Sequence, residues 1–241
     1  MGKALQVTGG ADAKFEVDLE SDKKSFFDNL KSTKSFTRSS LDANDQKVLE
    51  QLLTAEIIVP KLEKKGALKV GVLGDDFKLN IDNKEIRLTN KKDQADIILV
   101  FRTNSSYGKL LSSIDYQEID KPNLFIDLAY HHTVSVGPLV FPGETACIAC
   151  LQGRVTTRWG DDVPPKKPNI TADYQLICGL IESELIKILK GDTSLTNKTV
   201  SWNFQDRFSK TNQLLKVPIC PICNRNKLAY AGSLELPWIK A

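Results

Sequence analysis

The sequence has 241 residues, a net charge of +3 and an ordinary globular composition, with 41% hydrophobic and 26% charged residues. This length suffices for one large domain or two small ones. The small net charge and scattered lysines disfavour nucleic acid as a partner. No apolar run approaches the roughly 20 residues that cross a membrane, so we expect a cytoplasmic protein with no membrane partner.

The first 65 residues predict a small winged-helix-like module. Two strand patterns, at 4–8 and 14–19, are separated by a glycine turn, and the second alternates apolar residues along one face. Helical patterns follow at 21–31 and near 35–41. A stronger helix begins at Asp42 or Asn44. Its apolar stripe consists of Val48, Leu49, Leu52 and Leu53.

Winged helices often bind DNA, but the last helix of this module carries four acidic residues and one lysine. A recognition helix that faces phosphates would be basic. The open edge of the hairpin can instead accept an extended peptide as an added strand. The residues placed against such a peptide are Phe15, Glu16, Val17, Lys47 and Gln51. The alternative is that Phe15 and Val17 belong to the core, and that Lys47 and Gln51 are simply solvated.

A charged stretch over 61–67 precedes an α/β domain predicted over residues 66–241. Strands separated by helical stretches predict a mixed or mostly parallel sheet of Rossmann-like outline. The predicted strands are 68–73, 95–101, 123–128, 133–141 and 199–204, and the predicted helices are 107–114, the start of 151–159, and 172–190. For the last helix, Thr171 is the expected N-cap and Gly191 the C-terminal stop.

The turn after the first strand of this domain lacks the glycine pattern of a nucleotide site. Gly74 is followed by Asp75 and Asp76, whose charges would repel phosphate. No P-loop pattern occurs elsewhere in the chain. We therefore expect no nucleotide on this chain.

Four cysteines form two C-x-x-C pairs, Cys147 with Cys150 and Cys220 with Cys223. Two such turns supply the four thiolates of a closed tetrahedral zinc site, which is structural because no coordination position stays open. Two disulfides are an alternative, but the sequence shows no secretory signal. A redox C-x-x-C would explain one pair at most. Cys178 lies inside a predicted helix and is expected to be a core residue.

The sequence offers no catalytic arrangement. Its only histidines, His131 and His132, are adjacent at the start of a predicted strand. Neighbouring residues on a strand point to opposite faces, so these two would not share a proton or a metal. We assign no catalytic residue.

The segment VGPLVFPGETACIACLQGR, from Val136 to Arg154, and the final CPIC at Cys220–Cys223 resemble ThiF/MoeB-like proteins, relatives of ubiquitin-activating enzymes. They are most similar to the branch that partners YcaO cyclodehydratases, which make azoline rings in ribosomal peptides. The match covers about residues 66–235. The N-terminal module resembles the peptide-recognition element of that branch. The pairing of the two parts is similar to the B subunits of microcin-type synthetases.

The resemblance implies a non-catalytic subunit in bacteriocin or antibiotic biosynthesis. It would bind the leader of a precursor peptide and deliver the core to an ATP-using YcaO partner that forms thiazoline or oxazoline. A flavin-dependent dehydrogenase partner, homo-oligomerisation and a zinc ion on the four cysteines are implied as well. Two alternatives stay open: a ThiF/MoeB-like enzyme that adenylates a peptide or sulfur-carrier C-terminus, and a winged-helix regulator with a zinc-stabilised sensor domain.

Overall fold

The computed structural model describes residues 3–8, 14–19, 26–28, 41–54, 66–166, 169–224, 236, 238 and 239. Contacts divide the chain into two compact units, an N-terminal unit over 1–61 and a C-terminal unit over 62–241. The boundary predicted after residue 65 lies in a stretch outside the described residues and stays a prediction. None of the described helices is long and apolar enough to cross a membrane.

The N-terminal unit contains the predicted hairpin and the predicted strong helix. Strand β1 (Lys3–Thr8) pairs antiparallel with β2 (Lys14–Leu19) over their whole length. Helix α1 spans Ala43–Thr54. The Asp42 carboxylate accepts a 2.8 Å hydrogen bond from the Asp45 amide, so Asp42 is the N-cap, one of the two residues predicted for that role.

The described core of this unit contains the apolar stripe of α1. Its buried residues are Phe26, Phe27, Val48, Leu49 and Leu52, and Leu53 packs against them. The predicted stripe is thereby confirmed. Residues 35–40 of the predicted helix at 35–41 lie outside the described residues, as do the side chains of β2. The winged-helix assignment stays a prediction.

The C-terminal unit is built on a mixed seven-stranded sheet, in the order β4-β3-β5-β6-β7-β8-β9. The strands are β3 (Leu68–Gly74), β4 (Ile86–Thr89), β5 (Ile97–Arg102), β6 (Asn123–Asp127), β7 (Thr133–Val140), β8 (Lys198–Asn203) and β9 (Phe208–Gln213). The β4–β3–β5–β6 half is parallel, and the β6–β9 half is antiparallel. The predicted mixed α/β sheet is confirmed.

Two apolar layers cover the parallel half of the sheet. Every residue of β5 and β6 is buried, as their continuous apolar runs predict. Helix α4 (Tyr174–Leu189) packs on one face. Helix α2 (Tyr107–Ser113) and the cysteine segments pack on the other. Helix α3 (Ile148–Trp159) completes the unit.

Helix α4 differs from its prediction at one end. A 3-10 helix, Asn169–Asp173, precedes it, so Asp173 and not Thr171 is the N-cap; the predicted start was wrong. The C-terminal end agrees with the prediction. Gly191 has a φ of 91° and donates to the Ile188 carbonyl at 2.8 Å, the left-handed ending that favours glycine.

Candidate metal centre and adjoining groove

The four cysteines of the two C-x-x-C pairs lie together in the C-terminal unit. Their Sγ atoms are all within 4.8 Å of one another, and all four residues are buried. The Sγ–Sγ distances are 3.8 Å for Cys147–Cys150, 3.7 Å for Cys147–Cys220 and 3.4 Å for Cys150–Cys223. Four thiolates around a tetrahedral zinc at about 2.3 Å would be spaced by roughly 3.8 Å. The cluster can therefore hold a metal ion.

A helix start and a tight turn hold the cysteines of the two pairs close together. Cys147 is the N-cap of α3, and its carbonyl accepts from the Cys150 amide at 3.0 Å, so the first pair straddles the start of a helix. The positive end of the helix favours thiolates there. In the second pair, the Cys220 amide donates to the Val217 carbonyl at 3.0 Å, which forms a tight turn.

The thiols influence one another's ionisation. The hydrogen bond from the Cys147 thiol, with others, lowers the pKa of Cys150 to about 4 despite its burial. Burial, then hydrogen bonding to Cys150 and Cys220, raises the pKa of Cys223 to about 12. Ionisation of Cys150 is thus favoured, whereas ionisation of Cys223 is disfavoured. A divalent cation removes that competition, because it stabilises all four thiolates at once.

Two buried polar residues position the first pair. The Tyr116 hydroxyl accepts from the Ile148 amide at 3.3 Å, at the start of α3, and donates to the Asn123 side chain at 3.1 Å. Asn123 opens β6. This chain of bonds connects the cysteine turn to the centre of the sheet.

Asp75 fills an anion-binding position at the carboxyl ends of β3 and β5. Its Oδ2 accepts hydrogen bonds from three consecutive amides, Thr103 and Asn104 at 2.8 Å and Ser105 at 2.9 Å. Converging amides of this kind form nests that bind phosphate in many proteins. Here the ligand is the chain's own carboxylate, so Asp75 is a partner of the nest and not merely a repelling charge.

Gly74 makes this arrangement possible. Its φ of 97° and its close approach to β5 exclude a side chain, since a Cβ would lie 2.2 Å from the Phe101 carbonyl oxygen. The next amide, of Asp75, donates to that oxygen at 2.9 Å. The single glycine left in this turn thus serves strand packing.

A buried ionic cluster lies beside the nest. Arg102 Nη1 contacts both carboxylate oxygens of Asp127, at 3.1 and 3.0 Å, and its Nε donates to the Ser105 carbonyl at 2.9 Å. The Tyr107 hydroxyl donates to Asp127 at 2.8 Å. Burial raises the pKa of Tyr107, so this hydroxyl stays a donor. The sequence analysis did not identify this cluster. The available indication was the charged residue at the end of each apolar strand, Arg102 on β5 and Asp127 on β6.

A groove of about 1070 Å³ opens next to this cluster. Its floor is the antiparallel half of the sheet, and α3 and the segment after β9 form its walls. The lining includes Asp127, Tyr130, Ser135, Thr199, Ser201, Arg154, Arg158, Trp159, Lys210 and Asn212. Sequence reasoning did not identify this groove, because no motif marks the residues that line it.

The predicted peptide-contact residues are only partly described. Lys47 and Gln51 are both exposed on α1, one turn apart. Phe15, Glu16 and Val17 lie within β2, with their side chains outside the described set. The role of these residues in peptide binding stays a prediction.

The expected placement of the two histidines on a strand, with their side chains on opposite faces, was wrong. His131 and His132 precede β7 in a bend, and their ring centroids are 3.9 Å apart. Off the strand, the backbone does not impose opposite faces. Among the described residues, no group of three or more possible metal ligands includes either histidine.

Cys178 was expected to be a core residue, and this is confirmed. It is buried in α4, and the cysteine cluster does not include it.

The fold is shared with proteins of known structure, although no protein-family model and no curated protein matches the sequence. A heterocyclase in complex with substrate and cofactor matches with a TM-score of 0.50 at 16% identity, over 94% of this chain and 38% of its own. The chain thus has the fold of part of a heterocyclase and spans 38% of that protein's length.

Two further structures match with lower scores. The heterocyclase TruD has a TM-score of 0.46 at 17% identity, over 91% of this chain and 40% of its own. A chain of the E. coli microcin synthetase McbBCD complex has a TM-score of 0.46 at 12% identity, over 90% of this chain and 97% of its own.

Proposed function

We propose that this chain is the leader-peptide-binding, scaffolding subunit of a heterocyclase complex. The complex would install thiazoline or oxazoline rings in a ribosomal precursor peptide, with a YcaO-type partner supplying the ATP chemistry. The observation that carries the proposal is the fold shared with a substrate-bound heterocyclase over 94% of this chain. Fold alone does not determine function, so the chemistry of the sites must also agree.

In this proposal the four cysteines hold one structural zinc ion. Four protein thiolates leave no coordination position for water or substrate. The ion would join the start of α3 to the turn at Cys220–Cys223, far apart in sequence. Its role is then to fix the C-terminal segment against the sheet, and no reaction step passes through it.

The occupied nest supports the second part of the proposal, that ATP is used by the partner. A nucleotide needs converging amides at the carboxyl ends of the parallel strands. Asp75 already accepts from all three of the amides there. An adenylating enzyme of the ThiF/MoeB kind would need that position for phosphate.

The N-terminal unit is proposed to hold the leader. In the described part of this unit, β1 and β2 form a two-stranded sheet, so β2 has no strand partner on its other side. An extended peptide can add there through main-chain hydrogen bonds. Lys47 and Gln51 on α1 would contribute contacts with its side chains.

The test uses the full chain and the fluorescein-labelled leader of a Cys/Ser/Thr-rich precursor peptide. We expect saturable binding by fluorescence anisotropy, weakened by the double change Lys47→Ala and Gln51→Ala. Lys109→Ala, which removes an exposed lysine from the C-terminal unit, serves as the charge control and should bind normally. Absence of saturable binding would refute leader recognition.

The alternative enzyme function has its own readout. Under the proposal, the isolated chain shows no ATP–pyrophosphate exchange with any peptide carboxylate. Exchange above the level of a heat-denatured control would favour the adenylating enzyme instead.

A further inference from the structure

The antiparallel half of the large sheet has one polar face that the hydrophobic core does not use. Along β7 and β8, Val134, Val136 and Val200 point into the core shared with α4. The alternate residues point to the other face, where they line the groove. These are Thr133, Ser135, Thr199 and Ser201.

Strand pairing arranges these polar residues in rows across the groove floor. Ser135 lies opposite Ser201, and Ser201 lies opposite Lys210 of β9. Thr199 lies opposite Asn212 in the next row. Ser135 and Thr199 are buried, and the Ser201 hydroxyl donates to that of Ser135 at 3.1 Å. The exposed polar groups of these rows are the Lys210 ammonium and the Asn212 amide, which can bind carboxylates and a peptide backbone.

Helix α3 adds two cations to the wall. Arg154 and Arg158 are four residues apart, and both line the groove. Like charges at this spacing repel each other on a helix. The Arg154 guanidinium donates one hydrogen bond within the described part of the chain, from Nη2 to the Leu215 carbonyl at 3.4 Å.

Among the described residues that line the groove, Asp127 is the one carboxylate. In the described parts of the chain, the ion pairs join Arg102 to Asp127 and Lys187 to Glu184, and none involves Arg154, Arg158 or Lys210. Asp127, which also lines the groove, is already bound by Arg102 and Tyr107. Within the described part of the chain, Arg154, Arg158 and Lys210 therefore have no anionic partner.

We propose that this groove binds an extended peptide segment that carries carboxylate side chains. Charge complementarity selects the carboxylates. The cations lie on two elements, α3 and β9. The volume of about 1070 Å³ reaches the upper end of the range for small-ligand pockets, about 300–1,000 Å³, which favours an extended peptide. Trp159, 70% exposed at the groove, offers an apolar surface for the segment's other side chains. The site belongs to the C-terminal unit and does not rest on the proposed function.

The probe is a fluorescein-labelled decapeptide of alternating Glu and Ser, added to the full chain. Its matched control replaces every Glu with Gln. We expect the Glu peptide to bind measurably tighter, with affinity that falls as salt rises, because exposed charges are screened. Quenching of Trp159 emission, lost in Trp159→Phe, would place the peptide in the groove. Equal binding of the two peptides, or no binding of either, would overturn the proposal.

Single changes then locate the site. Arg154→Gln, Arg158→Gln and Lys210→Gln should each weaken the Glu peptide roughly twofold to fivefold, as expected for exposed ion pairs, and the triple change should weaken it more. The matched control is Arg87→Gln, an exposed arginine on β4 at the opposite edge of the same sheet. Thermal unfolding confirms that each variant is folded. A loss in Arg87→Gln equal to that in Arg158→Gln would mean non-specific attraction and would reject the groove.

Discussion

The Ser105 hydroxyl donates a 2.6 Å hydrogen bond to the Asp75 carboxylate, across the carboxyl ends of β3 and β5. The other oxygen of the same carboxylate is held by three backbone amides. The position where an α/β sheet commonly binds a ligand anion is therefore filled from within. These hydrogen bonds connect the end of β3 to the end of β5.

Removing this carboxylate should destabilise the C-terminal unit. Asp75→Ala leaves three amides and a hydroxyl without their acceptor, a loss of about 1–3 kcal/mol in the free energy of unfolding. Asp76→Ala is the matched control, because Asp76 is exposed and adjacent, and its loss should stay within about 0.5 kcal/mol. Urea unfolding of both variants measures the difference. Equal effects would mean that the nest contributes nothing specific.

The same carboxylate should give a defined pH dependence. Burial opposes ionisation of Asp75, but the hydrogen bonds from Ser105 and the amides outweigh it, and its pKa is lowered. A carboxyl with a lowered folded pKa stabilises above its unfolded pKa and loses that contribution as pH falls through the folded one. The stability difference between wild type and Asp75→Asn should be largest at neutral pH and shrink below about pH 4. A constant difference would contradict the lowered pKa.

The proposed zinc ion can be tested by comparing two cysteines. Cys220→Ser removes one thiolate of the cluster, whereas Cys178→Ser changes a buried cysteine of α4 outside it. We expect about one zinc per chain in reduced wild type and in Cys178→Ser, and much less in Cys220→Ser. Elemental analysis gives the zinc content, and thermal unfolding should show a larger loss for Cys220→Ser. Absence of zinc from freshly purified reduced wild type would refute the assignment.

Sequence patterns predicted the elements whose signal is local. The apolar runs of β5 and β6 predicted burial, and the structure buries every residue of both strands. The C-x-x-C spacing predicted one shared site, and the structure brings the four cysteines together. Strand β9 was missed because all six of its residues are exposed and the five after Phe208 are polar, so no alternation marks it. Strand β4 was missed because it is only four residues long.

The polar contacts at the sites could not be predicted, because they join residues distant in sequence. Asp75 meets amides 28 to 30 positions away, and Asp161 meets the start of α2 from 53 and 54 positions away. Asp161 lies in the stretch GDDVPPKKPN, whose polar, proline-rich composition predicts a loop that orders against a partner. In the structure it instead caps a helix of the same unit. No pattern in the sequence indicates that these aspartates and amides meet.

The Asp161 cap leads to a prediction about α2. Its two carboxylate oxygens accept from the Tyr107 amide at 2.7 Å and the Gly108 amide at 2.8 Å, so Asp161→Ala should cost about 0.5–2 kcal/mol, as for other lost caps. Hydrogen exchange of the first turn of α2 should quicken. Asp162→Ala, at an exposed neighbouring aspartate, should leave both unchanged. If the two variants behave alike, the capping role is wrong.

The buried pair of Arg102 and Asp127 should show strong coupling. Burial opposes the charge of Arg102, but Asp127 more than offsets it, and the pKa of Arg102 is raised. Arg102→Met leaves the Asp127 carboxylate buried without its cation, which typically costs about 3–5 kcal/mol. Adding Asp127→Leu removes the stranded charge, so the double variant should be more stable than Arg102→Met alone.

A double-mutant cycle measures this coupling by urea unfolding of the four proteins. Tyr130→Phe is the control for the same cluster. Its hydroxyl contacts Tyr107 only at 3.4 Å and its side chain is 40% exposed, so the change should stay within about 0.5 kcal/mol. If the losses from Arg102→Met and Asp127→Leu simply add, the ion pair is not what holds the ends of β5 and β6 together. The hydrogen bond from Arg102 Nε to the Ser105 carbonyl would then be the contact that matters.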